Sequence, residues 1–192
     1  MIPTTTDFQT NMHIIYRDYL IRFPEESERL SRLKRCLDEG LPVHLRSVME
    51  GHVTAAAIVL SEDNKQVFLI HHKALNKWIL PGGHYDLGED LWQCAERETK
   101  EETGIQISLD PWHKRHGMIP FDIDTHTIPA NPAKNEGAHY HFDCRFIFRL
   151  QGEVSIVLAQ RELLGADWRP VESMLNEPGL CTLPQKIGQL IA

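Results

Sequence analysis

The segment from Leu80 to Ile105, "LPGGHYDLGEDLWQCAERETKEETGI", restricts the fold more than any other part of the chain. Between Leu91 and Thr103 it predicts a helix, because apolar residues such as Cys94 and Ala95 form a packing stripe. Gly104 follows directly, and glycine commonly ends helices. The segment therefore predicts a helix that packs on a core and has glycine-containing turns at both ends.

Three glutamates of this helix, Glu98, Glu101 and Glu102, are spaced i, i+3 and i+4, so their carboxylates lie on one face. Like charges at these spacings destabilise an isolated helix by roughly a few tenths of a kcal/mol per pair. A divalent cation would replace this repulsion by attraction, and oxygen-only ligands suit Mg²⁺, with Mn²⁺ also suitable. Since Mg²⁺ commonly binds substrate phosphates, this interpretation predicts a phosphate-handling site. The alternative is a solvated acidic face supported by Arg97 and Lys100.

The same segment resembles the signature of the Nudix hydrolase family. That signature is Gly, five residues, Glu, seven residues, Arg-Glu, a bulky aliphatic residue, any residue, Glu-Glu, any residue, Gly and an aliphatic residue. The positions that match it in register are Gly83, Glu89, Arg97, Glu98, Glu101, Glu102, Gly104 and Ile105. Thr99 departs from the signature, because it stands at the aliphatic position and its hydroxyl needs a partner if it is buried.

The resemblance implies roles for the matched residues. Glu98, Glu101 and Glu102 would be the metal ligands and the catalytic carboxylates, with the Gly83 backbone carbonyl as a further ligand. Glu98 is our first choice for the general base. The remaining matched residues would support the site: Arg97 would pair with Glu89 to tie the loop to the helix, and Gly82 and Gly83 would let the backbone turn closely at the helix entrance.

The resemblance also implies a fold and a reaction. The expected fold is an α/β/α sandwich with a mixed central sheet. The expected reaction is divalent-metal-dependent hydrolysis of a phosphoanhydride bond in a small molecule, either a nucleoside diphosphate linked to another moiety or a related organic pyrophosphate. Two alternatives stay open: a catalytically silent nucleotide-binding or regulatory module, and an isomerase of isoprenoid diphosphates.

The rest of the chain predicts an α/β domain behind a helical segment. We expect residues 1–48 to form an N-terminal helical extension, broken near Pro24, and residues 49–192 to form the hydrolase domain. Residues 52–60 and 66–71 predict a β-hairpin around the turn "SEDNK". Mixed strands and helices around one core favour a sandwich.

Two further strands carry polar residues on one face each. These faces comprise Asp122, Asp124 and His126 on the first strand and His139, His141, Asp143 and Arg145 on the second. They predict either a second metal or phosphate-contacting pocket, to which His84 and Lys134 could contribute, or a solvated sheet face.

Composition restricts the partners. A formal net charge of −7 disfavours binding to nucleic acid or to an anionic membrane, because such proteins usually carry a basic face. The sequence shows no secretory leader and no membrane-spanning run, which predicts a cytoplasmic protein. The four cysteines form no Cys-x-x-Cys pair, so we expect them to be reduced. A homodimer is left open.

Overall fold

The computed structural model describes residues 5–132, 136–152, 156–159 and 163–190. Within these ranges the α-helices are α1 (Thr5–Arg22), α2 (Ser31–Asp38), α3 (Leu91–Thr103), α4 (Pro111–Arg115) and α5 (Leu183–Gly188). The strands are β1 (His52–Leu60), β2 (Gln66–His72), β3 (Lys77–Ile79), β4 (Gly82–His84), β5 (Ile107–Leu109), β6 (Asp122–Ile128), β7 (His139–Leu150) and β8 (Leu163–Pro170). No helix of these described ranges combines the length and apolar character needed to span a bilayer.

The strands form one mixed sheet. Its main path runs β3-β2-β1-β7-β5, and β4, β6 and β8 pair with β1, β7 and β2 respectively. Strands β1 and β7 are parallel neighbours, whereas the other pairs are antiparallel. The predicted mixed sheet is therefore confirmed, with β1 and β7 at its centre.

Both faces of the sheet are covered, as the side-chain alternation of β1 shows. Val53 and Ala55 pack in the same apolar cluster as Cys94 of α3. Ile58 and Leu60 point to the opposite face and pack in a second cluster. That second cluster includes apolar residues of α4 and α5, so helices flank the sheet on both sides and the α/β/α sandwich is confirmed.

The N-terminal helices pack on the α3 side of the sheet. Phe8 and Met12 of α1 and Leu33 of α2 are buried in the cluster that contains Phe146 of β7. The predicted break near Pro24 is confirmed, because a 3₁₀ turn at Pro24–Glu26 separates the two helices. The boundary between residues 1–48 and 49–192 stays a prediction.

Most predicted elements agree with the structure, and two differ. Instead of a plain turn, Gly82 and Gly83 belong to β4, which pairs with β1 through Ala55↔Gly83 and Ala56↔Gly82. Helix α4 was not predicted; its start is fixed by Asp110, whose carboxylate accepts a hydrogen bond from the Trp112 backbone N–H at 2.8 Å.

Candidate metal and phosphate site

Helix α3 has the boundaries that the sequence predicts. At its start the Asp90 backbone N–H donates to the Gln93 side-chain oxygen at 2.8 Å, as one half of a capping box. At its end Gly104 adopts a left-handed conformation with φ 74°, and its N–H donates to the Lys100 carbonyl at 2.8 Å. These caps fix the register in which the helix presents its glutamates.

Thr99, which departs from the aliphatic position of the signature, is fully buried. Its hydroxyl donates a hydrogen bond to the Ala95 carbonyl one turn earlier, at 2.7 Å. The buried hydroxyl is therefore satisfied within the helix, and this departure costs the packing little.

Strand β4 lies directly beneath two of the three glutamates. A Cβ atom placed on Gly83 would stand 2.5 Å from Oε2 of Glu98, so the carboxylate occupies space that only glycine leaves free. The Gly82 backbone N–H donates to Oε2 of Glu102 at 3.0 Å. Glu98 and Glu102 are thus brought together against adjacent residues of one strand.

Arg97 ties the preceding loop to the helix. Its Nε and Nη2 atoms donate to the two carboxylate oxygens of Glu89 at 3.1 and 2.8 Å. Nη2 also donates to the His84 carbonyl at 3.1 Å, and Nη1 donates to Oε1 of Glu98 at 2.8 Å. The expected Arg97–Glu89 pair is therefore present, and the same guanidinium also contacts Glu98.

Glu101 is placed differently from the other two glutamates. Its side chain is 60% exposed and approaches Nη1 of Arg97 at 3.5 Å. Among the described residues, the three carboxylates do not meet at one position close enough to share an ion as the side chains stand. Glu101 is nevertheless exposed, and a change of its rotamer would move its carboxylate without disturbing the core.

The donor chemistry of this site fits a divalent cation. Burial raises the pKa of Glu98, and Arg97, which acts in the opposite direction, does not fully offset it. The negative charge of this carboxylate is therefore incompletely compensated by the protein. Carboxylate oxygens of Glu98 and Glu102 beside the Gly82–Gly83 backbone form the hard-oxygen environment that Mg²⁺ or Mn²⁺ prefers.

The polar faces of β6 and β7 meet on the side of the sheet opposite helix α3. In the β6–β7 ladder Asp122 lies opposite Arg145, and His126 lies opposite His141. This side is not a solvated surface, because Asp122, Asp143 and Arg145 are buried. The polar residues of β6 and β7 therefore do not form the solvated sheet face that the sequence left open.

One end of this face is an ion-pair network. Arg145 donates to Asp122, Asp124 and Asp143 at 2.8 to 3.1 Å and to the Gly179 carbonyl at 2.7 Å. Because its guanidinium is engaged in these contacts and buried, the arrangement favours a structural role over the phosphate contact that the sequence left open. Lys134, the other candidate phosphate contact, lies outside the described residues.

The other end of this face is a group of histidines. Ring nitrogens of His84 in β4, His141 in β7 and His52, the first residue of β1, all lie within 4.8 Å of one another. Burial and the neighbouring imidazoles lower the pKa values of His52 and His141, and burial with the nearby Arg46 charge lowers that of His84 to about 4. These imidazoles are therefore neutral at pH 7.

Sequence reasoning missed His52. The residue is the first of a largely apolar strand and is 1% exposed, so the sequence pattern assigns it to the core. The signal that could have found it is alternation: His52 and Thr54 point away from the side on which Val53 and Ala55 pack with α3. The parallel register His52↔His141 then places it beside the predicted histidines.

The chain is similar to known proteins in sequence and in fold. The sequence model of the family described as the NUDIX domain matches residues 51–186. A probable DHNTP pyrophosphohydrolase of Lactococcus lactis is 35% identical over 129 residues, which is 66% of this chain and 72% of that protein. The nucleoside diphosphate-linked moiety X motif 6 protein of Xenopus laevis is 42% identical over 164 residues, 84% of this chain and 69% of that protein.

A solved structure shares the fold. A Caenorhabditis elegans Ap4A hydrolase binary complex superposes with a TM-score of 0.53 at 21% identity, covering 72% of this chain and 96% of that chain. At this level of identity the likeness concerns the fold alone. The reaction rests instead on the family match and on the two sequence relatives.

Proposed function

This chain belongs to the Nudix hydrolase family and is a pyrophosphohydrolase, and we propose that it cleaves a phosphoanhydride bond in a small nucleotide-like substrate at the α3–β4 site. The observation that carries the assignment of the site is the placement of Glu98 and Glu102 against Gly83 and Gly82. Two acidic side chains held over one backbone segment form a fixed anionic position beside the helix.

Enzymes of this family generally need divalent metal ions, and we propose Mg²⁺, with Mn²⁺ as the alternative. Glu98, Glu101 and Glu102 would hold the ion, with the Gly83 carbonyl as a further ligand. When bound, the cation would neutralise the non-bridging oxygens of the diphosphate and lower the pKa of a bound water.

The remaining roles at the site are those of a general base and of residues that position it. Glu98 is our choice for the general base that takes a proton from the attacking water, because Arg97 and Gly83 hold its carboxylate in one position at the site. Arg97 positions Glu98 through the Nη1–Oε1 hydrogen bond and holds the loop through Glu89. We therefore class Arg97 and Glu89 as positioning residues.

We infer the group that the substrate carries beyond the diphosphate from the sequence relatives. Relatives named as a probable DHNTP pyrophosphohydrolase and as a nucleoside diphosphate-linked moiety X motif 6 protein support two candidate classes, pterin triphosphates and nucleoside diphosphate derivatives. Loops outside the helix choose this group, so similarity of the signature does not decide between the classes.

A substrate panel tests the proposal. Purified protein is incubated with Mg²⁺ or Mn²⁺ and nucleoside triphosphates, dinucleotides, nucleotide sugars, dihydroneopterin triphosphate and capped RNA, with product analysis by chromatography. We expect turnover of at least one small-molecule member and its loss in Glu102→Gln. Full metal-dependent activity in Glu102→Gln would contradict the site assignment, and binding without turnover would support the regulatory alternative.

A cytoplasmic location and the absence of nucleic-acid binding also belong to the proposal. They are checked by microscopy of the tagged protein and by electrophoretic shift of labelled RNA and DNA. Light scattering after gel filtration decides between a monomer and the homodimer that the sequence leaves open.

A further inference from the structure

Three histidines from three different strands converge on the sheet face opposite helix α3. His52, His84 and His141 each offer a ring nitrogen, and these nitrogens all lie within 4.8 Å of one another. The strand register produces the convergence: His52 lies beside His141 in the β1–β7 ladder, and His84 lies beside Thr54 in the β1–β4 ladder. Their geometry is fixed by the pairing of β4 and β7 with β1 and does not depend on a loop.

Two of these imidazoles each have a ring nitrogen without a hydrogen-bond partner among the described residues. Nε2 of His52 and Nε2 of His84 are buried and have no hydrogen-bond partner among the residues that the structure describes. His52 is 1% exposed. An unpaired buried polar atom is costly, and native proteins rarely leave such atoms without a reason.

The tautomer of His52 leaves its Nε2 atom able to bind a metal ion. Its Nδ1 lies 3.2 Å from the Val48 carbonyl oxygen, which can only accept a hydrogen bond. In the neutral ring the proton is therefore on Nδ1, and Nε2 carries a lone pair. A backbone carbonyl that fixes the opposite ring nitrogen is the usual second contact of a metal-binding histidine.

His139 repeats this arrangement at the edge of the group. Its Nδ1 lies 2.8 Å from the Gly137 carbonyl, and its Nε2 lies 3.2 Å from Nε2 of His141. Two nitrogens bound at about 2.0–2.1 Å to one tetrahedral zinc ion are separated by roughly 3.3 Å. A proton between His139 and His141 would explain that contact alone, but it would leave His52 and His84 unpaired.

We propose that His52, His84 and His141 form a binding site for a transition-metal dication of the zinc class, with His139, whose Nε2 lies 3.2 Å from that of His141, as a candidate fourth ligand. Imidazole ligands select such ions, whereas Mg²⁺ prefers oxygen ligands, so this site and the glutamate site take different metals. The ion would hold β4 to β1 and β7. It would thereby fix the strand in which Gly83, the residue before His84, lies against Glu98.

Metal binding by tag-free, full-length protein tests the proposal without reference to turnover. After chelator treatment, Zn²⁺ is titrated against a chromophoric competitor, and Co²⁺ is added to a separate sample for visible absorption spectroscopy. We expect one tightly bound zinc ion per chain, the intense absorption of tetrahedral cobalt, and a higher unfolding temperature with zinc. Absence of stoichiometric zinc after gel filtration overturns the proposal.

One variant removes a proposed zinc ligand, and two control variants leave the three histidines intact. His52→Asn keeps a side-chain N–H that can reach the Val48 carbonyl but removes the Nε2 ligand, so zinc affinity should fall about 100-fold or more. His13→Asn alters an exposed histidine of α1 and should bind zinc like the wild type. Glu102→Gln should also keep zinc binding, which separates this site from the proposed hydrolytic site.

X-ray absorption of the zinc-loaded wild type covers the case in which His52→Asn does not fold. A shell of three or four imidazole nitrogens at about 2.0–2.1 Å is expected. A shell of oxygens alone would contradict the histidine site even if the zinc stoichiometry is one. Unchanged zinc affinity in folded His52→Asn would contradict it as well.

Discussion

The carboxylate of Glu98 rests directly on Gly83, where a methyl group would stand 2.5 Å from Oε2. The residue before it faces a different obstacle, because a methyl group on Gly82 would lie 2.6 Å from Cα of Ala56 in β1. Two adjacent glycines are thus required for different reasons. Gly83 makes room for the side chain of Glu98, which we propose as the general base, and Gly82 makes room for the neighbouring backbone.

We expect Gly83→Ala to lower kcat by about 100-fold with a loss of less than about 1 kcal/mol in the free energy of unfolding. The added methyl displaces only the end of the Glu98 side chain, and a displacement of about 1 Å can cost this much in rate. Gly82→Ala is the matched variant and should instead lose about 1–3 kcal/mol of stability through overpacking. Urea unfolding and steady-state kinetics measure both; equal stability losses would contradict the distinction.

The bidentate Arg97–Glu89 pair leads to a second prediction. Arg97→Lys keeps the charge but loses the planar fork that matches the Glu89 carboxylate, so it should not be conservative. A double-mutant cycle with Glu89→Gln should give a coupling energy of about 1–2 kcal/mol in urea unfolding. A coupling near zero would show that the loop is held by other contacts.

Helix α3 and the β1–β2 hairpin could be predicted from the sequence because the signals for them lie between residues that are close along the chain. Helix α3 begins and ends where the capping residues and Gly104 indicate, and the spacing of Glu98 and Glu102 follows from helical geometry. The β1–β2 hairpin was equally readable from two apolar runs around a polar turn.

The histidine group and the ion-pair network could not be predicted as units, because they depend on strand order. Only the parallel pairing of β1 with β7, which are separated by much of the chain, places His52 beside His141. Similarly, Lys186 in α5 reaches Asp122 in β6 through tertiary packing alone. Sequence spacing contains no signal for such contacts.

Removing the charge of Glu98 should separate stability from activity. Burial raises the pKa of this carboxylate, so its ionised form is less favourable in the folded protein than in the unfolded chain at neutral pH. We expect Glu98→Gln to lower activity by about 10²–10⁴-fold. In chelator-containing buffer at pH 7 its unfolding temperature should equal or exceed that of the wild type.

Differential scanning fluorimetry checks the stability part, and Glu96→Gln, on the same helix, is the control. The expected gain should shrink as the pH falls and disappear below about pH 4, where the wild-type carboxyl is protonated in both the folded and the unfolded chain. A clear fall in the unfolding temperature of Glu98→Gln at pH 7 would show that the contact with Arg97 outweighs the burial of the charge.

The last prediction concerns Asp122, which is fully buried and receives Lys186 at 2.7 Å and both Arg145 and Arg29 at 3.0 Å. Burial acts to raise its pKa, but these three cations together hold the pKa well below its usual range. A depressed pKa of this kind contributes stability above about pH 4, where the unfolded chain is ionised, and that contribution is lost as the pH falls further.

Asp122→Asn should therefore lose about 3–5 kcal/mol of unfolding free energy at pH 7, because the buried Arg145 and Lys186 and the partly exposed Arg29 lose their shared partner. The gap between wild type and variant should narrow as the pH falls below about 4, since the wild-type carboxylate then loses its advantage. Asp167→Asn, an exposed aspartate of β8, should show neither effect. Urea unfolding at a series of pH values measures the gap, and a gap that stays constant from pH 7 to pH 2.5 would mean that the charge of Asp122 does not stabilise the fold.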